Sequence, residues 1–381
     1  MSLDKSCDIL FICGALQPGA DGIGDYTRRL ATELTKQGFV IRMLAYSDRH
    51  INSAVNEVLS ENNHNLHVLR LPKLMHAKEK SILIRDWMGE VNPNWVSLQY
   101  VLYAFSDKGL PFGFASELNS LFPLAKYQIM FHELWLGMER KPLLKDKIYG
   151  VMQSLIISNM IKRLKPQVIH THSRAYLKLL NHHRYQAKWL PIISNIPVMH
   201  PERPYIDISN KQNLKFLVFG FISPGAPIVS FANELKAFAD DNSRQVEILF
   251  AGRNGAHDHD WHSAFKQAGI PYAQLGVLDV ESLSDLMNDC DIGISTTPFQ
   301  LYEKSGSVAA MFKHGLPVLN VAVSWDPEIE IQLNVDEPIT EYKPGMLSAW
   351  LLQLHKPGRK NRLENIAHQF ADDLNLNLVK H

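Results

Sequence analysis

The sequence predicts an α/β protein made of two doubly wound domains, and three observations carry that expectation. The chain has 381 residues, against about 100 to 200 residues for a typical domain. Short apolar runs alternate with stretches of helical period, the pattern of parallel strands joined by crossover helices. The alternation also restarts after a proline-rich segment near the middle. A composition of 46% hydrophobic and 20% charged residues is that of a globular chain with core enough for two domains, and it excludes disordered, collagen-like and coiled-coil classes.

The apolar run Ile9 to Cys13 opens the first domain. A Gly/Pro loop follows, then Ile23, Tyr26, Leu30 and Leu34 at near-helical spacing, with Gly38 placed as a helix C-cap and a strand at Phe39 to Tyr46. Further strands are expected at Leu66 to Leu71, Trp95 to Gln99, Gln128 to His132 and Val168 to His170. From Leu214 the pattern begins again, with strands at Phe216 to Phe221, Val246 to Ala251, Ile292 to Ser295 and Val318 to Val323, and helical stretches at Leu283 to Asn288 and Ser307 to Phe312. Residues 191–210 hold four prolines and little periodicity and read as the linker. The expected domains are 1–197 and 198–355, with a helical tail, 356–381, that crosses back to the first. Ligands of open α/β sheets bind beyond the carboxyl ends of the strands, so the site is expected in a cleft between the two domains.

The N-terminus lacks a secretory signal pattern and no run of eighteen apolar residues occurs, so a cytoplasmic, nonspanning protein is expected. Cys7, Cys13 and Cys290 show no C-x-x-C spacing and read as buried thiols. Net charge is zero, yet residues 1–197 carry 24 Lys and Arg against 16 Asp and Glu, a balance of +8 that the remainder cancels. A basic half suits a phosphate-bearing partner or peripheral association with the inner face of a membrane. Nucleic acid is disfavoured, because no RNP pattern, zinc-finger spacing or basic helix with heptads accompanies the charge. The stretch Leu143 to Leu164, bracketed by Lys145, Lys147, Lys162, Arg163 and Lys165, reads as a helix packed on its sheet or as one lying on a membrane surface; both readings stay open.

In GADGIGDYTRRLA, Gly22 and Gly24 begin a G-x-G pattern and Asp48 follows the next strand. Thr27 replaces the third glycine and Gly22 stands nine residues after Cys13, so a dinucleotide fingerprint is disfavoured. What remains is a helix start at Gly22, Ile23 and Gly24 whose amides suit an anion. Ser305, Gly306 and Ser307 open another helix and offer amides and hydroxyls as a diphosphate cradle, with Lys304 as cation and Glu303 as acceptor for sugar hydroxyls. His132 ends a strand and can donate to a sugar hydroxyl; Gln99 and Tyr100 end another and could meet an acceptor. The segment HDHDWH, 257–262, reads as a helix start, and Asp289, Cys290 and Asp291 as a helix end entering a strand, so no metal is expected.

Taken together, G-x-G-x-Y with R-x-L-A-x-x-L-x-x-x-G, the run AGRNG (251–255), LGVLDVESLSDLMNDCDIGISTTPF (275–299) and EKSGSVAAMFKHGLPVLN (303–320) resemble the successive motifs of GT-B glycosyltransferases, family 4 above all. The linker PIISNIPV is similar to that family's interdomain segment. The resemblance implies two Rossmann-like domains facing across a cleft and a nucleotide-sugar donor, UDP or GDP type, as substrate. A hexosyl group would pass to a glycan, lipid-linked or other hydroxyl acceptor with retention and without a metal or separate cofactor, in cell-surface polysaccharide or glycolipid assembly. It places Gly22, Ile23 and Gly24 at acceptor and phosphate, His132 at the transferred sugar, Gly220, Phe221, Val277 and Leu278 at the nucleotide, and Glu303, Ser305, Gly306 and Ser307 around sugar and diphosphate. Two departures stand out. Met311 occupies the second position of the family's E-x7-E pair, and GFISPGAPIVS lacks its Arg/Lys pair, leaving Lys304 and Arg253 to neutralise a diphosphate. A noncatalytic scaffold or partner subunit is therefore a rival, and a sugar-nucleotide epimerase of similar fold a weaker one.

Overall fold

The computed structural model describes residues 6–61, 64–200, 211–355, 357–359 and 362–376. The linker portion 201–210 and the tail residues 356, 360–361 and 377–381 lie outside them. The chain forms two compact units, one of residues 1–193, 327–330 and 362–381, the other of 194–326 and 331–361.

The first unit contains β1 (Ile9–Cys13), β2 (Ile41–Asp48), β3 (Val55–Glu61), β4 (His64–Pro72), β5 (Trp95–Tyr100), β6 (Lys126–Phe131), β7 (Val168–Thr171) and β8 (Ala187–Trp189). They form one sheet in the order β3-β4-β2-β1-β5-β6-β7-β8, parallel except for β3, which runs antiparallel to β4. Its helices are α1 (Gly22–Lys36), α2 (Ala77–Met88), α3 (Leu102–Phe105), α4 (Phe114–Leu121), α5 (Leu144–Leu164) and α6 (Arg174–His182). Strand β1, ILFIC, is buried at every residue because helices cover both faces. The chain runs outward from β1 through β2 and β4, then resumes on the other side with β5, so the order reverses between β1 and β5.

The second unit contains β9 (Asn213–Phe219), β10 (Gln245–Ala251), β11 (Tyr272–Gly276), β12 (Ile292–Ser295), β13 (Val318–Asn320) and β14 (Ile339–Glu341), with helices α7 (Ile228–Asp241), α8 (Asp258–Ala268), α9 (Val280–Asp289), α10 (Gly306–Lys313) and α11 (Leu347–Leu352). All its strands are parallel, in the order β11-β10-β9-β12-β13-β14, and the reversal lies between β9 and β12.

The last helix, α12 (Leu363–Asp373), belongs to the first unit and finishes its core. Ile366, Ala367, Phe370, Ala371 and Leu374 are buried among residues of α1 and β1, and the Phe370 ring stacks on Phe11 at 5.8 Å. Lys188 and His170 both bond the Asp373 carboxylate, at 2.6 and 2.9 Å, tying the end of α12 to β8 and β7.

Four strands, β3, β8, β11 and β14, carry no strong sequence signal. They sit at or next to sheet edges, where half-exposed backbone tolerates short and polar segments. All three cysteines are buried thiols, and burial pushes Cys7 up to about 12. Among the described residues no helix is long and apolar enough to cross a membrane.

Candidate functional site

In the second unit the chemistry gathers at the strand-order reversal. Gly220 follows β9 at φ +89°, and a Cβ there would lie 3.6 Å from the Ser307 Cβ. Gly252, after β10 at φ +84°, lies beside Gly220, and a Cβ there would meet the Gly220 amide nitrogen at 3.4 Å, an ordinary contact. Both positions favour glycine for their left-handed φ. The loop between β9 and α7 is pinned from two sides: Ile222 donates to the Asn254 carbonyl at 3.0 Å, and Ser223 donates to Thr296 Oγ1 at 3.0 Å. Asn254, 3% exposed, bonds the Gly220 carbonyl at 2.8 Å, so the polar residue of AGRNG is a brace for the loop.

Helix α10 starts beside these glycines. Ser305 is its N-cap, and its hydroxyl accepts from the Val308 amide at 3.4 Å and meets Ser307 Oγ at 3.0 Å. The amides of Gly306 and Ser307 have no acceptor among the described residues. They are two open donors at the positive end of a helix, the arrangement that binds phosphate.

The charges expected around this cradle differ in how far they are engaged. Glu303 and Lys304 lie in a 3-10 turn, Phe299–Lys304. Glu303 is 8% exposed, Lys304 is half-buried, and neither is free. Lys304 is therefore not an uncommitted counter-charge for a diphosphate. Arg253 is exposed and makes no ion pair among the described residues, which leaves it as the available cation of the pair. Phe221 is 66% exposed, its ring lying over Gly255, where a Cβ would meet it at 2.7 Å. Val277, just past β11, is 69% exposed, whereas Leu278 packs partly into the core and offers little side chain to a ligand. Met311 is fully buried, its sulfur where a Cβ on Gly293 would sit only 2.3 Å away. The missing carboxylate of the E-x7-E pair is thus replaced by core packing between α10 and β12.

HDHDWH places Asp258 and Asp260 in the first turn of α8, where acidic side chains complement the helix dipole. His262 stacks on Tyr272 at 4.8 Å. Asp291 is 1% exposed and pairs with Lys211 at 2.7 Å.

In the first unit the helix start at Gly22, Ile23 and Gly24 departs from expectation. Asp21 caps α1, its Oδ1 accepting from Ile23 at 3.1 Å and Gly24 at 2.8 Å. A carboxylate of the protein already fills the anion position. Gly24 serves packing instead, since a Cβ would strike the Ala15 carbonyl at 2.4 Å. Asp48, a candidate ribose ligand in a dinucleotide fold, is fully buried and bonded to Arg70 at 2.8 Å.

His132 is 7% exposed and both its ring nitrogens are engaged. Nε2 lies 3.0 Å from Gln99 Oε1, and Nδ1 lies 3.1 Å from His172 Nε2. The bond expected from its ring to a sugar hydroxyl would have to replace one of these two contacts. Gln99 and Tyr100 are fully buried as well and present nothing to an acceptor. In place of an open site there is a buried polar chain crossing β5, β6 and β7. Its contacts run from the Leu190 carbonyl to His172 (2.8 Å), His132, Gln99, Ser97 (2.8 Å), Gln128 (2.6 Å) and His170 (3.1 Å), ending at Asp373.

Proton counting constrains this chain. Seven contacts link six groups between two pure acceptors, the Leu190 carbonyl and the Asp373 carboxylate. Neutral His, Gln and Ser each supply one proton to the line, so a neutral chain is one proton short and a single imidazolium completes it. Burial opposes that charge. It lowers His132 well below the ordinary histidine value, to which the neighbouring His172 adds, and it lowers His172 to about 4 and outweighs Asp373 at His170. Burial raises the Asp373 carboxyl, but its bonds from His170 and Lys188 prevail and hold it low. Tyr26 packs edge-on against both His132 and His172, at 5.2 and 4.8 Å. Sequence reading picked out His132 and Gln99 but missed Ser97, Gln128, His170 and His172.

Both units carry parallel sheets with helical crossovers, and solved structures share that architecture over nearly the whole chain. HepE of Anabaena, solved with UDP and glucose, is 15% identical, with coverage of 97% of this chain and 90% of that one and a TM-score of 0.53. The fold is that of the GT-B glycosyltransferases. An α,α-trehalose-phosphate synthase of Burkholderia xenovorans, solved with glucose-6-phosphate, aligns at 10% identity over 96% and 99% of the two chains, TM-score 0.53. A glycosyltransferase of Rickettsia africae aligns at 13% identity over 97% and 89%, TM-score 0.52. No protein-family model matches the sequence, and no curated protein matches it.

Proposed function

We propose that the protein is a glycosyltransferase that takes a hexosyl group from a nucleotide sugar of UDP or GDP type, held by the second unit, and passes it to a hydroxyl acceptor. The observation that carries this reading is the pair of unpartnered amides at Gly306 and Ser307, set against Gly220 at the strand-order reversal. UDP bound in HepE supports the choice of donor. The amides and Arg253 would hold the diphosphate as the bond between the anomeric carbon and the phosphate oxygen breaks, spreading the developing negative charge. Retention, in the manner of family 4, lets a phosphate oxygen of the leaving diphosphate take the proton of the acceptor hydroxyl, with no metal.

Gly306→Pro tests the reading. Proline is favoured at the first position of a helix, Ser305 before it is already extended at φ −83° and ψ 112°, and nothing lies within 4 Å of a Cβ at Gly306. The change deletes one amide donor and leaves the helix intact. A charge-assisted hydrogen bond is worth about 1.5 to 3 kcal/mol, so UDP affinity, read by calorimetric titration, should fall by about tenfold or more with an unchanged melting temperature. Undiminished affinity would remove the diphosphate from α10.

A second reading, binding without transfer, rests on the burial of Met311 and the committed Lys304. Mass spectrometry of the donor after incubation with a panel of hydroxyl acceptors separates the two. Donor binding without hexosyl transfer supports the noncatalytic reading.

A further inference from the structure

Helix α5 carries an apolar stripe on its outside. Its inner face, with Gln153, Ile156, Ile157, Met160 and Leu164, is buried. On the opposite side Leu144, Ile148, Val151 and Leu155 are 75%, 52%, 56% and 65% exposed. Their spacing of four, three and four residues aligns them on one side of a helix of about 3.6 residues per turn, where a surface helix ordinarily shows polar side chains. Leu143, 74% exposed, and Phe112, 71% exposed, extend the patch, and Phe112 and Leu155 line one shallow pocket.

Cations frame the stripe. Lys141, Lys145 and Lys147 lie exposed at its beginning and Lys162, Arg163 and Lys165 at its end, and none of the six makes an ion pair among the described residues. The helix holds a single acid, half-buried Asp146. An apolar band edged by uncommitted cations fits a surface with an apolar interior and anionic headgroups. A second copy of the chain fits poorly, because pairing α5 with itself, parallel or antiparallel, brings lysines against lysines or arginine.

We propose that the outer face of α5, with Leu143 and Phe112, docks the first unit onto a bilayer carrying anionic lipid, the helix lying in the headgroup plane. The loop after His132 packs on the inner face of the same helix, where Leu136 donates to Gln153 Oε1 at 2.9 Å and Gly150 admits the Leu136 carbonyl where a Cβ would sit 2.0 Å away, so it leaves the outer stripe uncovered. Docking is independent of the transferase reading, because it needs neither donor nor acceptor.

The test is co-sedimentation of the full chain with phosphatidylcholine vesicles, with and without about one-third phosphatidylglycerol. Binding is expected only with the anionic lipid. Raising salt from 0.1 to 1 M, which shortens the screening length from about 10 to about 3 Å, should weaken it. The double variants Ile148→Asp/Leu155→Asp and Lys145→Glu/Lys162→Glu alter exposed side chains only, so their melting temperatures should stay unchanged while vesicle binding drops by about tenfold or more. Absence of wild-type binding, or equal binding by both variants, overturns the proposal. So does a solution dimer that Ile148→Asp/Leu155→Asp dissociates without any effect on vesicles, which would assign the face to a second copy.

Discussion

Phe370→Ala is expected to destabilise the first unit by about 3 to 5 kcal/mol, the usual cost of deleting a buried aromatic ring. Its side chain is fully buried and stacked on Phe11 of the central strand. Deleting the chain from Arg362 onward goes further. Ile366, Phe370 and Leu374 would each forfeit about 1.5 to 3 kcal/mol of burial, a sum comparable with the whole stability of about 5 to 15 kcal/mol typical of a domain. The deletion should therefore leave the first unit unfolded, while the second keeps a calorimetric transition of its own. For a unit of this size each kcal/mol moves the midpoint by about 2 to 4 °C, so Phe370→Ala should lower that transition by about 10 °C. An unmoved transition in the point variant would mean that α12 adds nothing to the fold.

Acid should destabilise the protein well before its carboxylates titrate. His172 and His314 are held at about 4, and His132 and His170 are lowered too, all chiefly by burial. In the unfolded chain a histidine titrates near about 6.5. Between that value and the folded one the unfolded state binds more protons, so stability is complete above about 6.5 and falls as pH drops, levelling off for His172 and His314 near 4. Each of those two rings contributes on the order of 3 kcal/mol over the window. The buried chain shapes the curve for the first unit. One proton completes its seven bonds, whereas a second has no acceptor left along the line, and on His132 and His172 together it would set two like charges in rings 4.8 Å apart. Urea midpoints at pH 7, 6 and 5 should decline, more steeply below 6, and midpoints constant across that range would contradict the neutral buried histidines.

Much of the architecture was legible because parallel strands buried on both faces read as unbroken apolar runs. Ile9–Cys13 and Ile248–Ala251 were visible for that reason. Strands of three residues such as Ala187–Trp189 and Ile339–Glu341 owe their conformation to their neighbours in the sheet. The nucleotide cradle was partly readable, since Ser-Gly-Ser before an apolar helical stretch is a local cap signal. What surrounds it was not, because burial decides that Met311 fills the core and that Glu303 and Lys304 are engaged.

The polar chain illustrates the limit well. Ser97 with Gln99, and His170 with His172, are two apart and so share a sheet face, a hint that polar side chains lay inside. Which strand lay beside which came only with the register that sets Ser97 opposite Gln128 and Met130 opposite His170. Likewise the start of α1 looked like an anion site until Asp21 proved to be its own occupant.

The placement of α12 bears on how the protein is made. A ribosome completes the entire second unit before it delivers the residues that close the first, so the earlier-made sheet must wait with part of its apolar surface uncovered. The first sheet thus reaches its final packing only after every element of the second unit has been made, against the order in which its own strands are delivered.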